Sequence, residues 1–277
     1  MPASTVVVGK TQIIGVTDAL MQFPWTVFLA ATVARSEIDA YKADYPGSFA
    51  GENFGTRAGG YVIHSEGKTI LCDTGVGPGP HAWLGGLTGN LVPDMESKGI
   101  SPSEIDFVVF THLHGDHVGW NLTGQGKPTF PNARYVVPQA DWDFFNQNTA
   151  SNPQMQLVTP LQDMGLLDLV SGEKAITSEV TTYPTPGHTP GHQSLLVTSD
   201  GERSVITGDV AHFPAQVEHI DWPTNFETDN AAAIETRRKM FAQLEEDGVI
   251  SAFCHFPEAP FGRLIRSEGK RMWKAIG

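Results

Sequence analysis

Four side chains able to bind a metal fall within six residues of this chain: His112-Leu113-His114-Gly115-Asp116-His117. With 10 His in the chain, shuffling its composition would produce His-x-His-x-Asp-His in about one chain in a thousand. The preceding residues, Ile105 to Thr111, form a short apolar run that predicts a buried strand. Side chains alternate along an extended backbone, so His112, His114 and Asp116 share one side. Gly115 lets the chain turn, and His117 can bend toward a second centre. Neutral imidazoles and carboxylates suit zinc and similar divalent ions, with no thiolate required. A His-rich surface loop is the bland alternative; ligands found further along the chain outweigh it.

Those further ligands sit where strands stop. His112 follows Val108–Thr111, His188 lies in a Gly/Pro loop between two strands, Asp209 ends Val205–Gly208, and His255 ends Ala252–Cys254. Loops at strand ends of a rigid scaffold are where sites are commonly built. Each of the last three could be an ordinary core His or turn Asp, but their common placement favours ligands. Seven candidates result: His112, His114, Asp116, His117, His188, Asp209 and His255. One tetrahedral site takes three or four, so the count predicts two metals, with Asp209 the natural shared carboxylate.

The elements that must position them follow from pattern. Residues 5–9 and 11–16 predict strands. Residues 60–73 predict a hairpin turning at Ser65–Lys68, and 91–99 a short helix ended by Gly99. Arg134–Val137 predicts a strand followed by a helix over 138–147. Strands near 179–183 and 193–198 flank the Gly187–His192 loop, and Ser204–Thr207 is another. Residues 230–246 carry Ile234, Phe241 and Leu244 on one face and predict an amphipathic helix. Val249–Cys254 is the next strand, and 262–276 a closing hairpin. Residues 211–228 are too Pro-rich and aperiodic for a helix and predict a functional loop beside Asp209. Strands separated by helices, with hairpins at both ends, give a layered α/β class. No repeat or low-complexity tract divides the 277 residues, which reads as one domain, 1–277, with an N-terminal extension 1–59.

Net charge is −13; it disfavours nucleic acid and anionic membranes as partners and leaves a small-molecule substrate. Cys72 and Cys254 are the two cysteines, expected as buried thiols of a reducing compartment. With no secretion signal at the N-terminus and no run of 18 apolar residues, the expectation is a cytoplasmic protein off the membrane. A homodimer is the base-rate oligomer.

The motifs together resemble those of a metallo-β-lactamase-fold hydrolase: Thr111-His-Leu-His-Gly-Asp-His117, Thr185-Pro-Gly-His188-Thr-Pro-Gly-His192, Gly208-Asp209, Cys254-His255 and Leu71-Cys-Asp-Thr-Gly75, in the family's order. The resemblance implies a four-layer αβ/βα sandwich with metals at one edge between two sheets. It also implies His112, His114 and His188 on a first metal and Asp116, His117 and His255 on a second. Asp209 would bridge the two, and Asp73 would orient ligands from behind. Zinc is the first expectation, with manganese, cobalt or iron(II) as alternatives. His114, where iron flavoprotein relatives have Glu, disfavours oxygen or nitric-oxide reduction.

Hydroxide held between two dications is nucleophilic at neutral pH, so the expected reaction is direct hydrolysis of an ester-like bond. Asp116 is the candidate proton shuttle and His212 an auxiliary. In layout the chain is most similar to quorum-quenching lactonases and organophosphate hydrolases, which makes a lactone of the acyl-homoserine-lactone kind the favoured substrate. Phosphotriester, thioester or β-lactam hydrolysis are the alternatives within the class, and an inert metal-binding sensor or scaffold the alternative outside it. A nuclease of the same superfamily is disfavoured by acidity. Many such lactonases carry Tyr three residues after the bridging Asp, where this chain has His212. Trp120, Trp25, Phe23 and Trp222 are the aromatic candidates for a substrate pocket.

Overall fold

In the computed structural model of the protein, residues 3–29, 32–147, 149–257 and 259–276 are described. The ends of the expected 1–277 domain therefore lie outside the described residues. The first sheet contains β1 (Thr5–Val8), β2 (Thr11–Pro24), β3 (Phe49–Ala50), β4 (Asn53–Ser65), β5 (Lys68–Cys72), β6 (Phe107–Val109), β7 (Arg134–Pro138) and β8 (Leu167–Val170). Its order is β1-β2-β4-β5-β6-β7-β8, with β3 on β4. The second contains β9 (Lys174–Ala175), β10 (Val180–Pro184), β11 (Gln193–Ser199), β12 (Glu202–Gly208), β13 (Ile250–Phe253), β14 (Gly262–Ser267) and β15 (Lys270–Ala275), in the order β15-β14-β13-β12-β11-β10-β9.

Strand alternation builds two cores at once. Ile63, Ile70, Cys72 and Val109 pack between the sheets against Leu195, Val197, Ile206 and Ala252. Their neighbours Val62, Leu71, Val108 and Phe110 face the other way, as a period of two demands. That outer face is covered by α3 (Leu91–Ser97), α4 (Gln139–Asn146) and α5 (Thr159–Asp163), through Leu91, Met95, Trp142 and Leu161. On the far side, Met240, Phe241 and Leu244 of α6 (Asn230–Asp247) cover Val205, Phe253 and Trp273 of the second sheet. The result is a mixed α/β sandwich, helices outside and two sheets within.

The helix over 230–246 and the hairpins at 60–73 and 262–276 match expectation. The N-terminal stretch differs. Beyond residue 16, β2 runs on to Pro24 and pairs with β4 from Asn53 onward, so this "extension" is part of the first sheet. Two short helices, α1 (Trp25–Phe28) and α2 (Arg35–Asp39), then lead back into it. Trp25, Phe28, Ile38, Tyr45, Phe54, Phe213 and Trp222 make a separate aromatic core. Parallel pairs β5–β6 and β12–β13 end at one edge of the sandwich, and the candidate ligands follow those ends. No helix among the described residues is long and apolar enough to cross a membrane.

Candidate metal centre

All seven predicted ligands converge at this edge. Asp209 Oδ2 lies at their middle: 3.0 Å from His255 Nε2, 3.4 Å from His117 Nε2, 3.4 Å from His188 Nε2 and 3.7 Å from His112 Nε2. His212 Nε2 is 3.3 Å from the same oxygen. Beside this, His114 Nδ1 lies 3.0 Å from His112 Nε2 and 2.9 Å from His188 Nε2. Asp116 approaches the other flank, 3.6 Å from His255 Nε2 and 3.9 Å from His117 Nε2. Two overlapping donor sets result: His112, His114 and His188 on one side, Asp116, His117 and His255 on the other, with Asp209 between.

Three of the outward-facing nitrogens are tied down. His117 Nδ1–H donates to Asp73 Oδ2 at 2.8 Å, and His255 Nδ1–H to the Arg57 carbonyl at 2.8 Å. His112 Nδ1 bonds Thr111 Oγ1, which in turn donates to Asp73. Such contacts fix ring orientation and tautomer, leaving the inner Nε2 lone pairs for a cation. His117 Nε2 and Asp209 Oδ1 are buried with no hydrogen-bond partner among the described residues. Buried acceptors without donors cost about 1–3 kcal/mol each, and a divalent cation satisfies several at once. The residues present fit a metal.

Electrostatics agree. Burial disfavours protonation of His112, His114 and His188, lowering all three, His114 to about 4. His117 and His255 are raised: burial again opposes the proton, but Asp209 outweighs it, aided by Asp116 and, for His117, Asp73. Burial pushes Asp209 upward, yet His255, His117 and His112 hold it well below the usual carboxylate range. Where such imidazoles hold protons, a dication can take their place, so binding metal releases protons.

Several residues that support the ligands escaped the motif reading. His192 Nε2 accepts the Asp209 N–H at 2.9 Å while its Nδ1 bonds the Thr185 carbonyl at 2.9 Å. Gly208, at φ +58, lets them approach: a Cβ there would lie 2.7 Å from His192 Nε2. The repeated Thr-Pro-Gly-His was the available signal. Asp141 joins the two ligand loops, accepting from Leu113 N, Thr189 Oγ1 and Gly191 N. Asp18 is the extra residue of a β-bulge in β2, where pairing with β4 shifts between Thr17 and Ala19. Its carboxylate accepts from Val76, Gly77, Asn90 and Leu91 amides and from the Trp120 indole. Bulges beside sites re-aim side chains in this way.

A cavity of about 840 Å³ opens onto the donor cluster; its walls include His114, Asp116, His188, Asp209, His212 and His255. The rest is largely apolar, with Met21, Phe23, Val27, Phe28, Val76, Trp83, Leu157 and Phe226. Of the four predicted pocket aromatics, Phe23 lines it and the others do not. Trp25 is buried against Phe49, Phe54 and Phe213. Trp222 stacks on His219 at 4.1 Å. Trp120 spends its indole N–H on Asp18 and packs on the helix-side core. Phe28, Trp83 and Phe226 take their places on the wall.

The profile of the metallo-beta-lactamase superfamily matches residues 60–249. The chain is 28% identical over 233 residues to the uncharacterized protein YobT of Bacillus subtilis (strain 168), covering 78% of this chain and 88% of YobT. It is 26% identical over 164 residues to an N-acyl homoserine lactonase of a Bacillus species, spanning 53% of this chain and 60% of that lactonase. The fold is similar, at TM-score 0.84 and 21% identity, to the solved structure of AidC, a dizinc quorum-quenching lactonase in complex with a product; 97% of this chain and 95% of AidC are covered.

Proposed function

Because this chain belongs to the metallo-beta-lactamase superfamily, we propose that it is a dinuclear metal-dependent hydrolase opening an apolar ester-type substrate, with an acyl-homoserine-lactone-like lactone as the favoured case. The observation that carries the reading is the meeting of seven donors, Asp209 central among them, at the floor of a mostly apolar cavity. His112, His114 and His188 would hold one ion, Asp116, His117 and His255 the other, and Asp209 both; zinc suits the donors, with manganese, cobalt or iron(II) also compatible. Bound divalent ions supply Lewis acidity and lower the pKa of water to about 7.

The chain's own groups do the rest. Asp116 borders the cavity and both inner imidazoles, so its carboxylate is placed to take a proton at attack and return it to the leaving alkoxide. His212, on the cavity wall beside Asp209, would donate a hydrogen bond to the substrate carbonyl in the role a Tyr fills in many lactonases. Phe23, Phe28 and Phe226 exclude water and receive an acyl chain. The sequence likeness to N-acyl homoserine lactonases supports lactone over phosphotriester or thioester. A closed, inert metal scaffold is disfavoured because five donor residues border the cavity.

Chelator treatment should abolish turnover, and zinc, manganese or cobalt should restore it; activity surviving full demetallation would refute the reading. Across panels of acyl lactones, aryl phosphotriesters and thioesters, kcat/KM should be highest for the lactones. A higher value on phosphotriesters would reassign the substrate while keeping the site.

A further inference from the structure

We propose that the buried pair Glu227–Arg237 positions the apolar wall of the cavity, fixing Phe226 and tying that wall to the loop that carries His188. This rests on the reading of the cavity given above. Both side chains are 0% exposed, and Arg237 Nη1 donates to Glu227 Oε1 at 2.6 Å. The other Glu227 oxygen accepts from the Thr224 amide at 2.6 Å and the Thr224 hydroxyl at 2.5 Å. Arg237 Nε donates to the Ile220 carbonyl. One side chain of α6 thereby holds the loop at two points, residues 220 and 227.

Phe226 lies between two further anchors. Before it, the Asn225 amide donates to the Phe28 carbonyl at 2.9 Å, and the Asn225 side chain to the Thr26 carbonyl at 2.8 Å. After it, the Thr228 amide donates to the His188 carbonyl and the Asp229 amide to that of Gly187, both at 2.9 Å. The Phe226 ring is 41% exposed and meets Phe28 at 5.1 Å, so packing alone holds it loosely and the backbone must place it. A buried ion pair is weak evidence of stabilisation, since apolar replacements of both partners are often neutral. Here Arg237 Nη2 is even left without a partner among the described residues. What the pair does supply is direction: three donors converge on Glu227 and fix the turn that presents Phe226.

The test uses the metal-loaded full chain with Glu227→Gln, Arg237→Lys and Phe226→Ala, assayed on a short-chain and a long-chain acyl lactone. Metal content and hydrogen exchange of residues 224–229 are measured on each. F226A should raise KM for the long-chain lactone about fivefold with kcat little changed. E227Q should reproduce that split, retain the parent's metal content, and speed exchange of 224–229 about tenfold or more. Should E227Q fail to fold, R237K, which keeps the charge but loses the forked geometry, is held to the same result. Chain-length preference unchanged in E227Q or R237K while F226A shifts it would overturn the proposal. If no variant or parent hydrolyses any lactone, the substrate reading has failed, and exchange alone decides: protection of 224–229 equal to the parent's overturns the positioning claim.

Discussion

Replacing Asp18 with Asn tests how the loops around the metal centre are held. In the folded chain Oδ1 accepts from Asn90 N, Leu91 N and Trp120 Nε1 at 2.6, 2.7 and 2.8 Å, and Oδ2 from Val76 N at 2.6 Å and Gly77 N at 3.2 Å. An Asn side chain keeps one accepting oxygen and turns the other into a donor, so at least two N–H groups lose their acceptor and face another N–H. Hydrogen bonds to a charged group contribute about 1.5–3 kcal/mol each, so two lost bonds cost about 3–6 kcal/mol. Against that stands relief from burying a charge. Burial is the largest influence on Asp18 and raises its pKa despite its donors, so removing the charge returns part of that loss. The net expectation is about 2–4 kcal/mol of destabilisation, or a Tm lower by roughly 5–15 °C for a chain of this size. Urea unfolding of metal-loaded parent and D18N, followed by tryptophan fluorescence, measures it. Trp120→Phe removes one donor and leaves the carboxylate its other four, so it should cost less than D18N. A D18N chain within about 0.5 kcal/mol of the parent, or a W120F chain hurt more than D18N, would refute the reasoning.

Two further outcomes follow from the buried groups. Burial lifts Asp141 to about 6 although Gly191, Thr189 and Leu113 donate to it, while an unfolded Asp titrates at about 3.9. The native state thus binds the proton more tightly. The stability this brings is complete below about pH 4 and is lost as pH rises through about 6. The difference in unfolding free energy between parent and Asp141→Asn should therefore shrink by about 3 kcal/mol from acid to neutral pH; a pH-independent difference in urea titrations would contradict it. For the aromatics, Trp25→Ala should cost about 3–5 kcal/mol of stability by leaving a void in the separate aromatic core. Phe23→Ala should mainly raise KM, and the reverse pattern would restore Trp25 to the pocket.

How far the site could be read depended on whether its residues are local or scattered. The candidate ligands at 112–117 and the paired Thr-Pro-Gly-His segments are contiguous, so their spacing announces them. Asp209 and His255 needed only a strand run to mark where each strand stops. The β2–β4 ribbon was half hidden because Gly55, Gly59 and Gly60 carry no strand signal, and the bulge at Asp18 breaks the alternation a strand search relies on. Asp18 and Asp141 left no pattern at all: an acid inside an apolar run and an acid opening a helix look ordinary until the donors arrive from distant segments. The tryptophans misled for a related reason. A large aromatic near a site fills a core as readily as a pocket, and Trp25 and Trp222 went to the core that α1 and α2 bring together with Phe213.

The supports share a chemistry that the centre itself explains. Asp18, Asp73 and Asp141 are all buried. Asp73 and Asp141 bind N–H or O–H donors at the start of and within the 112–117 loop. Asp18 binds the Trp120 indole just after that loop, together with amides of residues 76–77 and 90–91. Among the described residues none of them meets a Lys or Arg within ion-pairing distance; the one imidazole partner in this set is His117 against Asp73. A guanidinium could brace a loop through as many hydrogen bonds, but it would place positive charge beside a cluster of donors that suits a divalent cation. At 4 Å, like unit charges repel by about 4 kcal/mol at the effective dielectric of a protein near its surface. An acid bracing the same loops attracts instead, and its burial cost is offset by amides that carry no net charge. Arg57 tests this logic, since it is buried near His255. It offers the ligand its backbone carbonyl, while its guanidinium is spent on the Val16 carbonyl and the Tyr61 hydroxyl. Even the buried cation next to the centre meets it through an oxygen.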